Sequence, residues 1–333
     1  MQNFIFKELT TNDMETELEK IGFDIAYRNQ ASKKFQYKTI KIFDLTLPQA
    51  NILKQTALSF GADCGVHRDV LTSKIEKTNV ILGGSFSQLE KICEKLKMQP
   101  FNLKKLSEEI LEHFEQKERT TKLVGIINVT PDSFSDGGLY FSPENAIKKI
   151  HQLIEEGANM IDIGAESTKP GAVDVSPKEQ IERLNPILKL ISEFAIPFSV
   201  DTRSSIVADF ALNNGVAIIN DISGMDYDRK LVDVVAKYDA GLVIQHSTAK
   251  AEERPVYNDV VEEVYLKLLD KARFAKEKGL KNIILDVGIG FGKNKEDNFE
   301  LLNRIEEFYN LNLPIMVGLS RKSFLGISNT DNE

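Results

Sequence analysis

Asn282-Ile283-Ile284-Leu285-Asp286-Val287-Gly288-Ile289-Gly290-Phe291-Gly292-Lys293 is a short apolar run that stops on an acid and continues into spaced glycines. The run is strand-sized, and the glycines punctuate it as a loop. The same shape recurs on both sides. Leu123–Val129, Met160–Gly164, Phe198–Asp201, Val216–Asp221, Leu242–His246 and Pro314–Gly318 are β-branched runs of similar length. They read as buried strands without polar alternation, the pattern of parallel strands covered by helices. Between them lie helical patterns, such as Ala146, Ile147, Ile150, Leu153 and Ile154 on one face. Ser142-Pro143 signals the start of that helix. Ser176-Pro177 signals the next, with Glu179 expected to complete a capping box.

Strand and helix alternating in this way mean βαβ units and a parallel sheet. Seven such strands fit a (β/α)8 TIM barrel over residues 122–333 better than a doubly wound sheet. The count is one short, so the expectation is an α/β barrel whose eighth strand and last helices are missing from this sequence. Residues 1–110 read as a separate small α/β domain. Its expected strands are Asn3–Leu9, Lys38–Leu45 and Asn79–Gly83, and its expected helices Met14–Ile21, Pro48–Phe60 and Phe86–Lys97. The charged stretch Leu103 to Thr121 reads as a solvated helix or linker, with the linker proper at 111–121.

Bulk properties exclude several classes. A net charge of −8 argues against general nucleic-acid binding. No apolar run approaches the length of a membrane span, and no basic-then-apolar leader opens the chain. The expectation is a soluble cytoplasmic protein. Cys64 and Cys93 form neither a disulfide framework nor a zinc spacing. Asp63, His67 and Asp69 flank a loop and read as turn residues rather than a metal site.

In a barrel the chemistry sits at the C-terminal ends of the strands. There the chain places Asn128, Asp201, Asn220, Gln245, His246 and Asp286. Asp201 and Asp286 end apolar strands and must find partners. Those partners are either a basic neighbour or the amino-amide edge of a planar heterocycle, which a carboxylate and an asparagine can read together. Arg321-Lys322-Ser323 suits an anion if a helix starts there, and otherwise is a solvated basic turn. Gly288-x-Gly290-x-Gly292 is not the dinucleotide fingerprint, and Gly292-Lys293-Asn294 is not a phosphate-binding P-loop.

Taken together, the loop Asn128-Val129-Thr130-Pro131-Asp132-Ser133-Phe134-Ser135-Asp136-Gly137-Gly138 and the segments Met160–Gly171, Asp286–Lys293 and Gly318–Gly326 resemble the signatures of the dihydropteroate synthases. The resemblance runs from about residue 122 onward. It implies an enzyme of folate biosynthesis that joins 6-hydroxymethyl-7,8-dihydropterin diphosphate to p-aminobenzoate. By that resemblance Asp201, Asn220, Asp286 and Lys322 would bind the pterin. Thr168, Lys169, Pro170, Phe291 and Ser323 would surround p-aminobenzoate, with Arg321 near that side. Phe134 and Asp136 would close over the site, and Asp136 and Lys322 would assist catalysis. Asn128 would hold Mg2+, and the assembly would be a homodimer. Lys169 replaces the family's Arg, Val287 its Pro, and Gln245 its Met. The Arg-x-His pair that ends the family's eighth strand has no counterpart, which would weaken diphosphate binding. Two other readings share parts of this pattern. A methyltetrahydrofolate-dependent methyltransferase would share Asp201, Asn220 and Asp286, and a synthase-derived protein that binds without turnover would share the barrel.

Overall fold

The computed structural model describes residues 14–114, 120–129, 143–166, 174–247, 255–320 and 322–325. The chain divides into two compact units, Met1–Glu118 and Arg119–Glu333.

The first unit holds α1 (Met14–Lys20), α2 (Arg28–Ser32), β1 (Tyr37–Thr46), α3 (Leu47–Ser59), β2 (Asp63–Val66), β3 (Lys77–Ser85), α4 (Phe86–Leu96) and α5 (Leu103–Phe114). The strands form an antiparallel sheet in the order β1-β3-β2. Two helices start on capping boxes. The Gln49 side chain accepts from the Thr46 amide at 2.9 Å and Gln88 from the Ser85 amide at 2.8 Å. Leu53, Leu82, Leu89, Ile92 and Leu96 form the core.

Two expectations are corrected here. The stretch read as a solvated helix or linker is a helix as far as Phe114, but it is not wholly solvated: Leu103, Ser107 and Ile110 are buried, and Leu103 and Ile110 join that core. The loop around Asp63 contains a strand, β2. Asp63 accepts from the Tyr37 hydroxyl at 2.8 Å, and His67 accepts from the Asp69 amide at 3.2 Å. These side chains therefore serve local structure. The expected strand Asn3–Leu9 lies outside the described residues.

The second unit alternates β4 (Val124–Asn128), α6 (Pro143–Glu155), β5 (Met160–Gly164), α7 (Pro177–Leu188), β6 (Phe198–Asp201), α8 (Ser205–Asn213), β7 (Ile218–Asp221), α9 (Lys230–Lys237), β8 (Gly241–Gln245), α10 (Val260–Glu277), β9 (Asn282–Asp286), α11 (Lys295–Asn303) and β10 (Ile315–Met316). All seven strands are parallel and stand in chain order, curled as part of a barrel with β4 and β10 at the edges. α7 starts on Ser176, whose hydroxyl accepts from the Glu179 amide at 3.2 Å. The Glu179 side chain does not close the expected box, because it pairs with Arg183 one turn on.

The strands also differ from the uniformly apolar runs expected. Ile127, Ile161, Ile163, Val200, Ile219, Leu242, Ile244, Ile283 and Leu285 join the helices in one core. The alternate positions are polar at Asp162, Ser199, Asp201, Asn220, Gln245 and Asp286. Side chains of one parity share one face of a strand. The sheet thus has an apolar face against the helices and a second face carrying buried polar groups. Among the described residues no helix is long and apolar enough to cross a membrane.

Candidate active site on the polar face of the sheet

The ladder register assembles the site. Asn128 pairs with Gly164, Gly164 with Asp201, and Asp201 with Asn220, so these residues form one row across β4 to β7. Gln245 pairs with Asp286 one pleat further along, across β8 and β9. Gly164 keeps the row open, since a Cβ there would stand 2.9 Å from Asn128 Oδ1.

Below the row lies Asp162, which reading the sequence did not single out. Ser199 Oγ donates to its Oδ1 at 2.5 Å and Asn220 Nδ2 to its Oδ2 at 3.0 Å. Burial pushes the Asp162 carboxyl up, while these two donors pull it down. Asn220 is only 7% exposed, and its Oδ1 has no partner among the described residues. A buried amide oxygen without a donor carries a desolvation cost of ~1–3 kcal/mol. That cost is recovered when a ligand brings an N–H.

Asp201 receives no hydrogen bond from a described side chain. Burial drives its carboxyl well above the usual carboxylate range, helped by the nearby Asp162, Asp221 and Glu166 and opposed by Arg203. Arg203 is tied to Glu166 at 3.0 Å and to Asp174 at 2.7 Å, and it stacks on Tyr227. The salt-bridge reading of Asp201 is therefore not what the geometry gives, because its basic neighbour is engaged elsewhere. Asp221 is committed to the next turn, accepting from the Ser223 amide and hydroxyl and from the Met225 amide.

Asp286 accepts from the Gly288 amide at 2.7 Å, and burial raises its carboxyl to about 6 against the pull of Lys293 and Lys322. The loop after it is tightly built. Gly288 has φ +70°, and a Cβ there would lie 1.8 Å from the His246 carbonyl oxygen, so only glycine fits. The Gly290 amide donates to Asn298 Oδ1 at 2.7 Å. Lys322 lies against this loop with its Nζ 4.2 Å from the Phe291 ring centroid, and burial lowers its ammonium.

The structure thus brings together Asp201, Asn220 and Asp286 on one sheet face, with Lys322 and Phe291 beside Asp286 and Asn128 exposed at the end of β4. Ser323 opens a 3-10 turn of three residues, Ser323–Leu325, too short to act as a helix terminus for an anion. Phe134, Asp136, Thr168, Lys169, Pro170 and Arg321 lie outside the described residues. His246 faces the helices. It is 1% exposed, neither ring nitrogen has a partner among the described residues, and burial lowers its imidazole to about 2. Among the described residues no group of three His, Cys, Asp or Glu is arranged to hold a metal.

Two carboxyl groups and an amide oxygen on one face are a set that can accept from a donor edge of a flat heterocycle, and a neighbouring ammonium can donate to an acceptor. The profile of the pterin-binding enzymes matches residues 124–333. A bifunctional dihydropteroate synthase/dihydropteroate reductase of Helicobacter pylori is 32% identical over 331 residues, covering 97% of this chain and 87% of that protein. A probable bifunctional folylpolyglutamate synthase/dihydropteroate synthase of Haloferax volcanii is 32% identical over 349 residues, which is 96% of this chain. This chain spans 41% of the length of that relative. A structure of the Xanthomonas albilineans dihydropteroate synthase with 4-aminobenzoic acid is 38% identical at a TM-score of 0.58, covering 62% of this chain and 75% of that one. The polar sheet face, the residues that build it and these likenesses agree: the chain belongs to the dihydropteroate synthase family of pterin-binding enzymes.

Proposed function

We propose that the chain is a transferase that condenses 6-hydroxymethyl-7,8-dihydropterin diphosphate with p-aminobenzoate, giving 7,8-dihydropteroate and diphosphate. The observation that carries this reading is the unpaired, buried Asn220 Oδ1 between two strand-end carboxylates, Asp201 and Asp286. On this reading Asp286 and Asp201 accept from ring N–H groups of the pterin, Asn220 Oδ1 accepts from a third, and Lys322 donates to the ring carbonyl.

An arylamine is neutral at pH 7, so it needs placement more than deprotonation. The methylene C–O bond breaks and its electron pair leaves with diphosphate. The dihydropterin ring stabilises the cation left on carbon, the amine nitrogen closes the new C–N bond, and a proton is lost from nitrogen. Phe291 supports the aryl ring, with Thr168, Lys169, Pro170 and Ser323 proposed around it and Arg321 near it. Asp136 and Phe134 are proposed to cover the site and exclude water.

Mg2+ is proposed at Asn128. The fit rests on an exposed asparagine whose Oδ1 lies beside Gly164, where a Cβ would crowd it at 2.9 Å, and an amide oxygen is a ligand that Mg2+ accepts. Such an ion would neutralise charge on the leaving diphosphate. A homodimer in the cytoplasm is proposed on the family resemblance, and sedimentation would test the assembly.

The test is to incubate the chain with the pterin diphosphate, p-aminobenzoate and Mg2+ and to follow dihydropteroate by chromatography. Product is expected, with losses of about 100-fold or more in Asp286→Asn and Lys322→Ala. Absence of product, with the chain folded, would remove this reading and favour binding without turnover.

A second reading has one supporting observation: similarity to the Helicobacter bifunctional protein runs through the first unit as well. On it, the chain also reduces dihydropteroate by hydride from a reduced nicotinamide or flavin plus one proton. Oxidation of that reductant, dependent on added dihydropteroate, would support it.

A further inference from the structure

Lys293 is a buried lysine that the mechanism above does not use. It is 6% exposed, yet no acid lies within salt-bridge distance among the described residues. Its Nζ donates instead to three backbone carbonyls, Gly288 at 2.8 Å, Phe291 at 3.1 Å and His246 at 3.3 Å. An ammonium has three donors and no acceptor, so three carbonyls satisfy its charged form completely. The acceptors come from two places. His246 follows β8, whereas Gly288 and Phe291 belong to the loop after β9.

That loop carries the site. The Gly288 amide fixes the Asp286 carboxylate at 2.7 Å, and Phe291 lies under the Lys322 ammonium. The carbonyl oxygens of His246, Gly288 and Phe291 converge on Lys293 Nζ, and a cation between them offsets their mutual repulsion. Asn298 holds the far side through the Gly290 amide and the Lys293 carbonyl.

We propose that Lys293 is a positioning residue: its ammonium joins the end of β8 to the β9 loop and so sets where Asp286, Phe291 and Lys322 stand for the pterin and the arylamine. The inference rests on the synthase reading for the identity of those ligands. The charges around the two groups support it. Lys293 and Lys322 face Asp286 and favour its ionised form. Burial pulls Lys293 down to about 7, with Asp286 and Asp297 holding it up and Lys267 and Lys322 opposing.

The experiment measures binding of 6-hydroxymethylpterin, which has no phosphate to titrate, between pH 5 and 8. It compares wild type with Lys293→Met, Lys293→Gln and Lys293→Arg, each checked by thermal melting. Wild type should lose affinity as Asp286 takes up a proton near pH 6. In Lys293→Met that midpoint should move up by roughly one unit, and affinity at pH 7 should fall about tenfold. Lys293→Gln keeps two donors without the charge, so it should show the same shift if the Met variant does not fold. Lys293→Arg should keep the wild-type midpoint. An unchanged midpoint and affinity in folded Met or Gln variants would overturn the proposal, as would absence of pterin binding to the wild type. Wild-type binding without dihydropteroate formation would instead count against the synthase reading and leave the positioning result standing.

Discussion

Asn220 Nδ2 donates to Asp162 Oδ2 at 3.0 Å, so an acid one row below the site decides which way round the Asn220 amide stands. The oxygen is left facing away from Asp162, buried and unpaired among the described residues. Asp162→Asn replaces that acceptor with an amide that can rotate, and Asn220 loses its fixed orientation. Affinity for a pterin should fall by about tenfold, equal to ~1.4 kcal/mol, with a melting temperature close to wild type. Calorimetric titration of the variant checks it, and unchanged affinity would show that Asn220 is oriented by something else.

Gly288→Ala should cost more than about 3 kcal/mol of stability, read as a shift in urea midpoint. A left-handed φ and a Cβ placed 1.8 Å from the His246 carbonyl oxygen act together. Pterin binding should fall with it, since the Gly288 amide also holds Asp286.

Pterin affinity should depend on pH through both Asp201 and Asp286, whose carboxyls burial raises; for Asp286 the window can be placed. Its folded value of about 6 lies above the unfolded carboxylate value. Above pH 6 the carboxylate accepts from the ring; below it the proton must leave first, so affinity should drop up to tenfold per pH unit. Stability runs the other way for this group. A raised folded pKa gives stability that is present below about 4 and lost as pH rises through 6. A phosphate-free pterin titrated at several pH values isolates the binding effect.

His246 should make stability fall on the acid side. Its folded value is depressed to about 2, so its contribution is present above the unfolded value near 6.5 and is lost as pH falls below it. The loss is at most ~1.4 kcal/mol per pH unit. His246→Phe also removes two buried nitrogens that have no partner among the described residues. Urea unfolding at pH 7.5 and 5.5 should show wild type losing stability over that interval and the variant losing little or none.

Much of this architecture was readable in advance because parallel strands announce themselves as apolar runs. Asp201, Asn220 and Asp286 stood out because each ends such a run, where an acid or amide needs a reason. Asp162 did not, because a single polar residue inside Met160–Gly164 looks like an interruption. Its partners Ser199 and Asn220 are 37 and 58 residues away in sequence. Lys293 was read only as a failed phosphate-loop lysine, since carbonyl acceptors leave no trace in side-chain identity. The burial of α5 was missed because its five charged residues match its five apolar ones in number, although Leu103, Leu106 and Ile110 fall on one helical face. β2 is short and contains glycine, so its pairing with β3 was invisible until the sheet formed.

The alternation along the seven strands couples two properties that are usually separate. Sliding any one of β5 to β9 by a single residue would turn its hydrophobic members toward the ligand and its polar ones into the helices. A mispaired sheet would therefore lose its oil and its recognition chemistry in the same event. In practice, a pterin that binds one chain in a population reports more than an open pocket: it certifies strand alignment across the sheet, and it could serve as a refolding probe that needs no label.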